Sequence, residues 1–266
     1  MPNFPPLDRS VQWKISTGAI RFAEAGYRET VEAILSAGLA TEVVGLISAG
    51  KEADVYLARL HGAPIVVKAH RLYRTSRRGG GSIKVDNMAW RAAFEFEMLH
   101  RAWRGGAAVP TPAKRVENLL AMRYLGGSEG PAPRLADLEP LRPRELLEEI
   151  LAATRALLLA GVVHGDLSAY NILIHEDRPW FIDLSDSVRV DRLGSSAWQR
   201  LQVARGTLAR DLAGLRSYFA RFGTDLDAAP IVDSWMEELM ERRELTRARR
   251  RPPTPGGTPA GTRVLP

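Results

Sequence analysis

The sequence predicts an α+β protein in two lobes: an antiparallel sheet with one long helix, then a mostly helical half. Three observations carry this. Residues 43–47, 54–58 and 65–69 are short apolar runs separated by turn-forming stretches, the pattern of successive hairpins. Residues 88–104 then follow a helical period and stop at Gly105-Gly106. Beyond Gly126-Gly127 the periodicity is again helical, over 143–160, 208–222 and 231–243.

Taken in order, residues 1–12 are irregular, and 17–25 and 27–37 read as two short helices. Gly26 and Gly38 stand where a left-handed cap is wanted. Val31, Ile34 and Leu35 give the second helix an apolar face, most simply one for docking. Ser48 to Ala53 forms the first hairpin turn, and His61-Gly62-Ala63-Pro64 the second. Met88, Ala92, Leu99 and Trp103 lie near one face of the long helix. Residues 119–125 form another strand, and Gly126-Gly127 a flexible link. In the second half, Leu146, Leu147, Ile150, Leu151, Leu157 and Leu158 mark a helix stopped by Gly161. Leu212, Leu215, Tyr218 and Phe219 mark the buried face of a later one. The expected division is 1–40 as a helical extension, 41–126 and 127–240 as the two lobes, and 241–266 as a disordered basic tail.

With 266 residues, 45% hydrophobic and 26% charged, the chain has the composition of a globular protein with a real core. It has no cysteine, so disulfides, thiolate zinc sites and thiol nucleophiles are excluded. No apolar run reaches 18 residues, and no basic-then-apolar leader opens the sequence; a cytoplasmic protein without a membrane partner is the expectation. Residues 241–266 hold seven Arg and two Glu, which places +5 of the formal net charge of +6 in this stretch. Such a stretch favours polyanions, RNA above all, or is simply a solvated extension.

The chemistry concentrates at 163–184. An apolar strand leads into His164-Gly165-Asp166-Leu167-Ser168-Ala169-Tyr170-Asn171, a second strand follows, then a turn through Glu176-Asp177-Arg178-Pro179 and a third strand ending at Asp183. Asp and Asn favour turns whatever their role. Three acceptors in this order, framed by strands, can do more. One carboxylate can face a nucleophile while an amide oxygen and a second carboxylate hold Mg²⁺ on a polyphosphate, the layout of phosphoryl-transferring loops.

Two stretches could meet the phosphates. Gly45-x4-Gly50-Lys51 approaches the Walker A pattern, but Glu52 stands where Ser or Thr is needed, and a strand rather than a helix follows. That reading fails. The alternative is a hairpin over the phosphates followed by a lysine, Lys68, at the end of Ile65-Val66-Val67. Only five lysines stand against 32 arginines, so a lysine kept in a motif is informative. Alone it would read as a solubilising edge-strand residue; beside Asp166, Asn171 and Asp183 it reads as a phosphate ligand. It needs a carboxylate from the long helix, Glu97 first and Glu95 second.

These stretches resemble the RIO kinases, atypical members of the protein-kinase-like fold. The likeness rests on Ser48 to Tyr56, on Val67-Lys68 with Tyr73-Arg74-Thr75-Ser76, on His164 to Leu173, and on Ile182 to Val188. The resemblance implies a bilobal protein-kinase-like fold and ATP-dependent serine/threonine kinase or ATPase activity with Mg²⁺, or Mn²⁺ in its place. It implies Asp166 as catalytic base, Asn171 and Asp183 as metal ligands, and Lys68 with Glu97 on the phosphates. Ser48, Gly50, Lys51 and Val55 would form the loop over them, and Met122, Tyr124 and Leu125 the hinge at adenine. Asp183 could itself accept phosphate. The implied partners are ATP, a protein substrate or the chain itself, and ribosomal RNA or a pre-ribosomal particle. The family usually carries Ala at Gly165 and often Gln at Asp186. No Ala-Pro-Glu follows Asp183, so the peptide platform of ordinary protein kinases is not expected. Two other readings use the same residues: a small-molecule kinase of the aminoglycoside or choline type, where His-Gly-Asp-Leu also occurs, and a non-catalytic scaffold binding ATP and RNA.

Overall fold

A computed structural model describes residues 24–50, 52–70, 88–190 and 197–249. The expected helix at 17–25, apart from its end, Lys51, the stretch 71–87 and residues 250–266 of the expected disordered tail lie outside them; residues 241–249, expected to be disordered, are instead the last turns of a helix.

Helix α1 (Glu24–Ser36) precedes three strands, β1 (Glu42–Ala49), β2 (Ala53–Leu60) and β3 (Ala63–His70). Each pairs antiparallel with the next. Helix α2 (Met88–Arg104) follows, then β4 (Pro112–Val116) and β5 (Leu119–Arg123), completing a sheet in the order β1-β2-β3-β5-β4. The sheet is covered on both sides. On one, α1 docks through Tyr27, Val31 and Ile34, with the Tyr27 ring stacked 5.8 Å from that of Tyr56. Docking, the simplest expectation for this apolar face, is therefore what the helix does. On the other side α2 lies against β3, β4 and β5.

The buried face of α2 is Ala92, Glu95, Met98, Leu99 and Ala102, spaced three and four apart as one helical stripe requires. Trp103, expected on this stripe, is 44% exposed. β4 escaped the sequence reading because it is a sheet edge with exposed Ala113 and Lys114 and no apolar alternation.

Gly126–Gly127 (β6) is not merely a link. It pairs with Gly130–Pro131 (β7) as a short antiparallel ribbon. A side chain at Gly126 would place its Cβ 2.5 Å from the Tyr124 ring, so the glycine lets that ring fold back over the ribbon.

The second lobe begins with a 3₁₀ turn (Leu135–Asp137) and α3 (Pro143–Leu159), followed by β8 (Val162–Val163), β9 (Ile172–His175), β10 (Arg178–Phe181) and β11 (Val188–Arg189). Helices α4 (Ala197–Ala220) and α5 (Ala228–Arg249) close it. β9 and β10 form a two-residue hairpin in which Glu176 and Asp177 both have positive φ, +53° and +57°. This matches the twist of the flanking strands. Arg178 and Pro179, expected in the turn, are paired strand residues instead. α4 starts eleven residues before the expected 208, because its first turns expose Trp198 and Val203 and show no apolar stripe. Its later part buries Leu212, Leu215 and Phe219 as the periodicity predicts. The larger core runs from Met98, Leu99 and Leu120 through Ile150, Leu157 and Phe181 to Leu212, tying the two lobes together. No described helix is long and apolar enough to cross a membrane.

Candidate active site

The site lies where the sheet meets the helical lobe. Lys68 lies in the buried second half of β3 and is 8% exposed. It donates to Glu95 Oε1 at 2.9 Å and to Asp183 Oδ1 at 2.8 Å. Burial alone would push the ammonium down. The two carboxylates outweigh it and hold Lys68 above its ordinary value, hence charged. The counterpart holds for Asp183: burial would raise its carboxyl, but Lys68 and the Ser185 hydroxyl, 2.6 Å from the same Oδ1, keep it well below the carboxylate range. Asp183 sits at φ +63°, a left-handed conformation rare for a residue with a side chain.

Glu95, not Glu97, is the lysine's partner. Residues two apart on a helix point to nearly opposite sides. Glu95 shares the buried stripe with Ala92, Met98 and Leu99 and is 2% exposed, whereas Glu97 faces outward and pairs with Arg189 on β11. A further pair, Arg91 to Glu52 at 2.9 Å, joins α2 to the turn between β1 and β2.

Opposite Lys68 is the loop from His164 to Asn171. Asn171 Nδ2 donates to the main-chain carbonyl of Asp166 at 2.9 Å and to its Oδ2 at 2.8 Å. The amide thus holds the Asp166 carboxylate and turns its own oxygen away from it. The Asp166 carboxyl lies above its ordinary value; burial is the main cause, the Asn171 bond opposes it, and the charges of Asp186 and Asp183 add to it.

Two residues that the sequence reading did not single out fix this loop. Asp211, on the buried side of α4 and 4% exposed, accepts the main-chain N–H groups of Gly165 (2.9 Å) and Leu167 (3.3 Å). His164, 1% exposed, has Nε2 3.1 Å from the Ile182 carbonyl and stands edge-on to Phe181. Burial lowers its imidazole to about 4, so it is neutral at neutral pH. Gly165 has φ +89°, and a Cβ there would fall 2.1 Å from the Asp186 carbonyl oxygen. The absent side chain makes room for the loop around Asp186 to pack on the loop from His164 to Asn171.

Of the expected nucleotide contacts, Ser48, Val55, Lys68, Met122, Tyr124, Leu125 and Asn171 line one cavity of about 440 Å³, together with Asp183 and Glu95. This volume suits a nucleotide-sized ligand. Ile47, Val66, Leu173 and Ile182 give it apolar walls. Gly50 closes the hairpin, its N–H donating to the Ala53 carbonyl; Lys51 lies outside the described residues. Strand β2 follows directly, which leaves no helix N-terminus for a Walker A phosphate site.

The donor set suits a hard cation bridged to phosphates. The Asn171 amide oxygen and Asp183 Oδ2 take no part in the bonds described above, and both residues line the cavity. Among the described residues no group of three His, Asp or Glu is placed to hold a metal ion. Two protein oxygens, with phosphates and water completing the shell, is the usual habit of Mg²⁺.

Comparison with known proteins agrees with this geometry. The RIO domain family matches residues 54–231. The RIO-type serine/threonine-protein kinase Rio1 of Haloferax volcanii is 33% identical over 205 residues, covering 71% of this chain and 67% of that one. Its namesake in Methanocaldococcus jannaschii is 30% identical over 212 residues, covering 74% and 69%. Among solved structures, the Rio2 kinase-ADP/Mg²⁺-phosphoaspartate complex of Chaetomium thermophilum superposes with a TM-score of 0.57, at 19% identity, over 91% of this chain and 85% of that one. This last likeness shows the shared kinase fold. Fold, family match and the two archaeal relatives agree: the chain belongs to the RIO family of serine/threonine-protein kinases.

Proposed function

We propose that this protein transfers the γ-phosphoryl group of Mg²⁺-bound ATP to a serine or threonine hydroxyl, with Asp166 as the base. The observation that carries the reading is the facing pair of constellations, Lys68 between Glu95 and Asp183 on one wall and Asp166 held by Asn171 on the other. Adenine fits the apolar end of the cavity at Met122 to Leu125, and the phosphates run toward Lys68. The Mg²⁺ ion, when bound, neutralises phosphate charge. Asn171 and Asp183 would hold it from the cavity wall. Lys68, still paired with Glu95, then places its ammonium on the phosphate oxygens. Asp166 accepts the proton of the incoming hydroxyl, and its raised carboxyl suits a base that is ionised but not inert. Catalysis here is positioning and electrostatics.

A second reading, ATP hydrolysis through phosphorylation of Asp183, draws on the phosphoaspartate named for the Chaetomium complex and on the 42% exposure of the Asp183 side chain. The physiological partner we propose is a ribonucleoprotein particle, a reading supported by the +5 charge of residues 241–266.

Incubation with Mg²⁺ and γ-labelled ATP, with free phosphate and protein-bound label followed together, tests both. Acid-stable label is expected for the kinase; a hydroxylamine-labile adduct lost in Asp183→Asn identifies the ATPase route. Asp166→Ala and Lys68→Ala are each expected to lower turnover at least ~10²-fold. Wild-type turnover in either variant would overturn the assignment.

A further inference from the structure

The turn that closes the first hairpin carries a charge at odds with its place. Ser48 on β1, Val55 on β2 and Lys68 on β3 are register partners, one row across the sheet, and all three line the cavity. Glu52 stands in the turn just beyond this row, at the end of the cavity toward which the phosphates run in the reading above. A lone carboxylate there repels a polyphosphate.

Glu52 is answered from α2. Arg91 donates from Nη2 to its Oε2 at 2.9 Å, both side chains being partly exposed. Glu52 makes no other ion pair or side-chain hydrogen bond among the described residues. Arg91 precedes Glu95 by four residues, so both project from one face of the helix. That face meets the turn and β3 with a cation and then an anion, Arg91 on Glu52 and Glu95 on Lys68.

We propose that Arg91 is a positioning residue for the phosphates: it cancels the charge of Glu52 and so sets nucleotide affinity without touching nucleotide. At a distance a bare carboxylate acts as a full negative charge. Paired with a guanidinium it becomes a dipole, whose field falls off faster. In the cavity wall Lys68 balances Glu95 and Asp183 in this manner. Arg91 does for the turn what Lys68 does for the wall. A plain latch, with the pair only pinning the turn to α2, makes the opposite forecast for Glu52→Gln.

The inference rests on the nucleotide reading of the cavity. Affinities for Mg²⁺-free ADP and for adenosine are measured by calorimetry at low ionic strength, in the full chain, for wild type, Arg91→Ala, Glu52→Gln and the double variant. Arg91→Ala is expected to weaken ADP about fivefold, the order of one uncompensated charge near a protein surface, and adenosine by less than about twofold. Glu52→Gln should bind ADP at least as tightly as wild type, and the double variant should return to within about twofold of it. A latch instead predicts weaker ADP binding in Glu52→Gln and no recovery in the double variant; either result would overturn the proposal. Equal losses for ADP and adenosine in Arg91→Ala would mean packing and overturn it too. Arg91→Gln keeps a donor for Glu52 but no charge, and carries the test should Arg91→Ala fail to fold. The same loss is then expected, and wild-type ADP affinity in it would refute the charge argument. Wild type that binds neither ligand overturns the nucleotide reading and this proposal with it, whereas ADP binding unmoved by either Arg91 variant overturns the proposal alone.

Discussion

The neutral state of His164 gives the protein a measurable acid sensitivity. The ring is buried between the catalytic loop and Phe181, with Nε2 committed to the Ile182 carbonyl. Nδ1 is buried without a partner, so a second proton there would be a charged donor facing no acceptor. Burial therefore lowers the imidazole to about 4, against the opposing charges of Asp183 and Glu95. The unfolded chain takes up this proton near pH 6.5, the folded one only near 4. Stability from this group is thus present above about pH 6.5 and lost as pH falls toward 4. The gap corresponds to about 3 kcal/mol, most of it lost by pH 4.5, a large share of a typical domain's total. His164→Gln keeps a donor for Ile182 and removes the titration. Urea unfolding of nucleotide-free wild type and variant, from pH 7 to 4.5 at constant ionic strength, isolates the effect as a difference of profiles. Asp166 and Asp211, both raised, titrate in the opposite sense but are common to the two proteins. Wild type should lose about 2–3 kcal/mol more than the variant over this range. Parallel profiles would refute the argument.

Two further changes probe the same loop. Asp211→Ala leaves the amides of Gly165 and Leu167 without their acceptor and should cost roughly 2–6 kcal/mol at neutral pH, at 1–3 per orphaned amide. Asp211→Asn should lose about half of that, and a loss below about 0.5 kcal/mol by urea unfolding would mean the bonds do not hold the loop. Gly165→Ala forces a side chain into a left-handed backbone and onto the Asp186 carbonyl. About 2 kcal/mol of stability and at least tenfold of turnover should go with it, because the loop around Asp186 must move for the Cβ to fit. Unchanged melting and turnover would show that the two loops do not pack this way in solution.

The parts of the fold that were legible in the sequence are those where local chemistry and tertiary packing ask for the same thing. Residues 43–47, 54–58 and 65–69 read as short apolar runs because the sheet is covered on both faces, and Gly62 takes the φ of +84° that its tight turn requires. The helix at 88–104 was readable to its ends because Gly105-Gly106 stops it and its stripe is apolar. β4 and the first turns of α4 were not, since an edge strand with an exposed lysine and a helix with exposed Trp198 and Val203 show no period. Their structure is imposed by neighbours.

The same contrast explains the site. Asp166, Asn171 and Asp183 lie on one hairpin, so chain spacing alone brings them near each other. Glu95 and Asp211 come from separate elements, and their signal is of another kind: each is a polar group on an otherwise apolar face. Glu95 falls three after Ala92 and four before Leu99, and Asp211 falls four before Leu215. Burying such a group without a partner costs more than most single contacts return. A charged residue on an apolar stripe therefore announces a partner on the element it faces, even when that element is far away in sequence. By this reasoning Glu97, off the stripe, could not reach Lys68, and its pairing with Arg189 is what an outward-facing carboxylate is free to do.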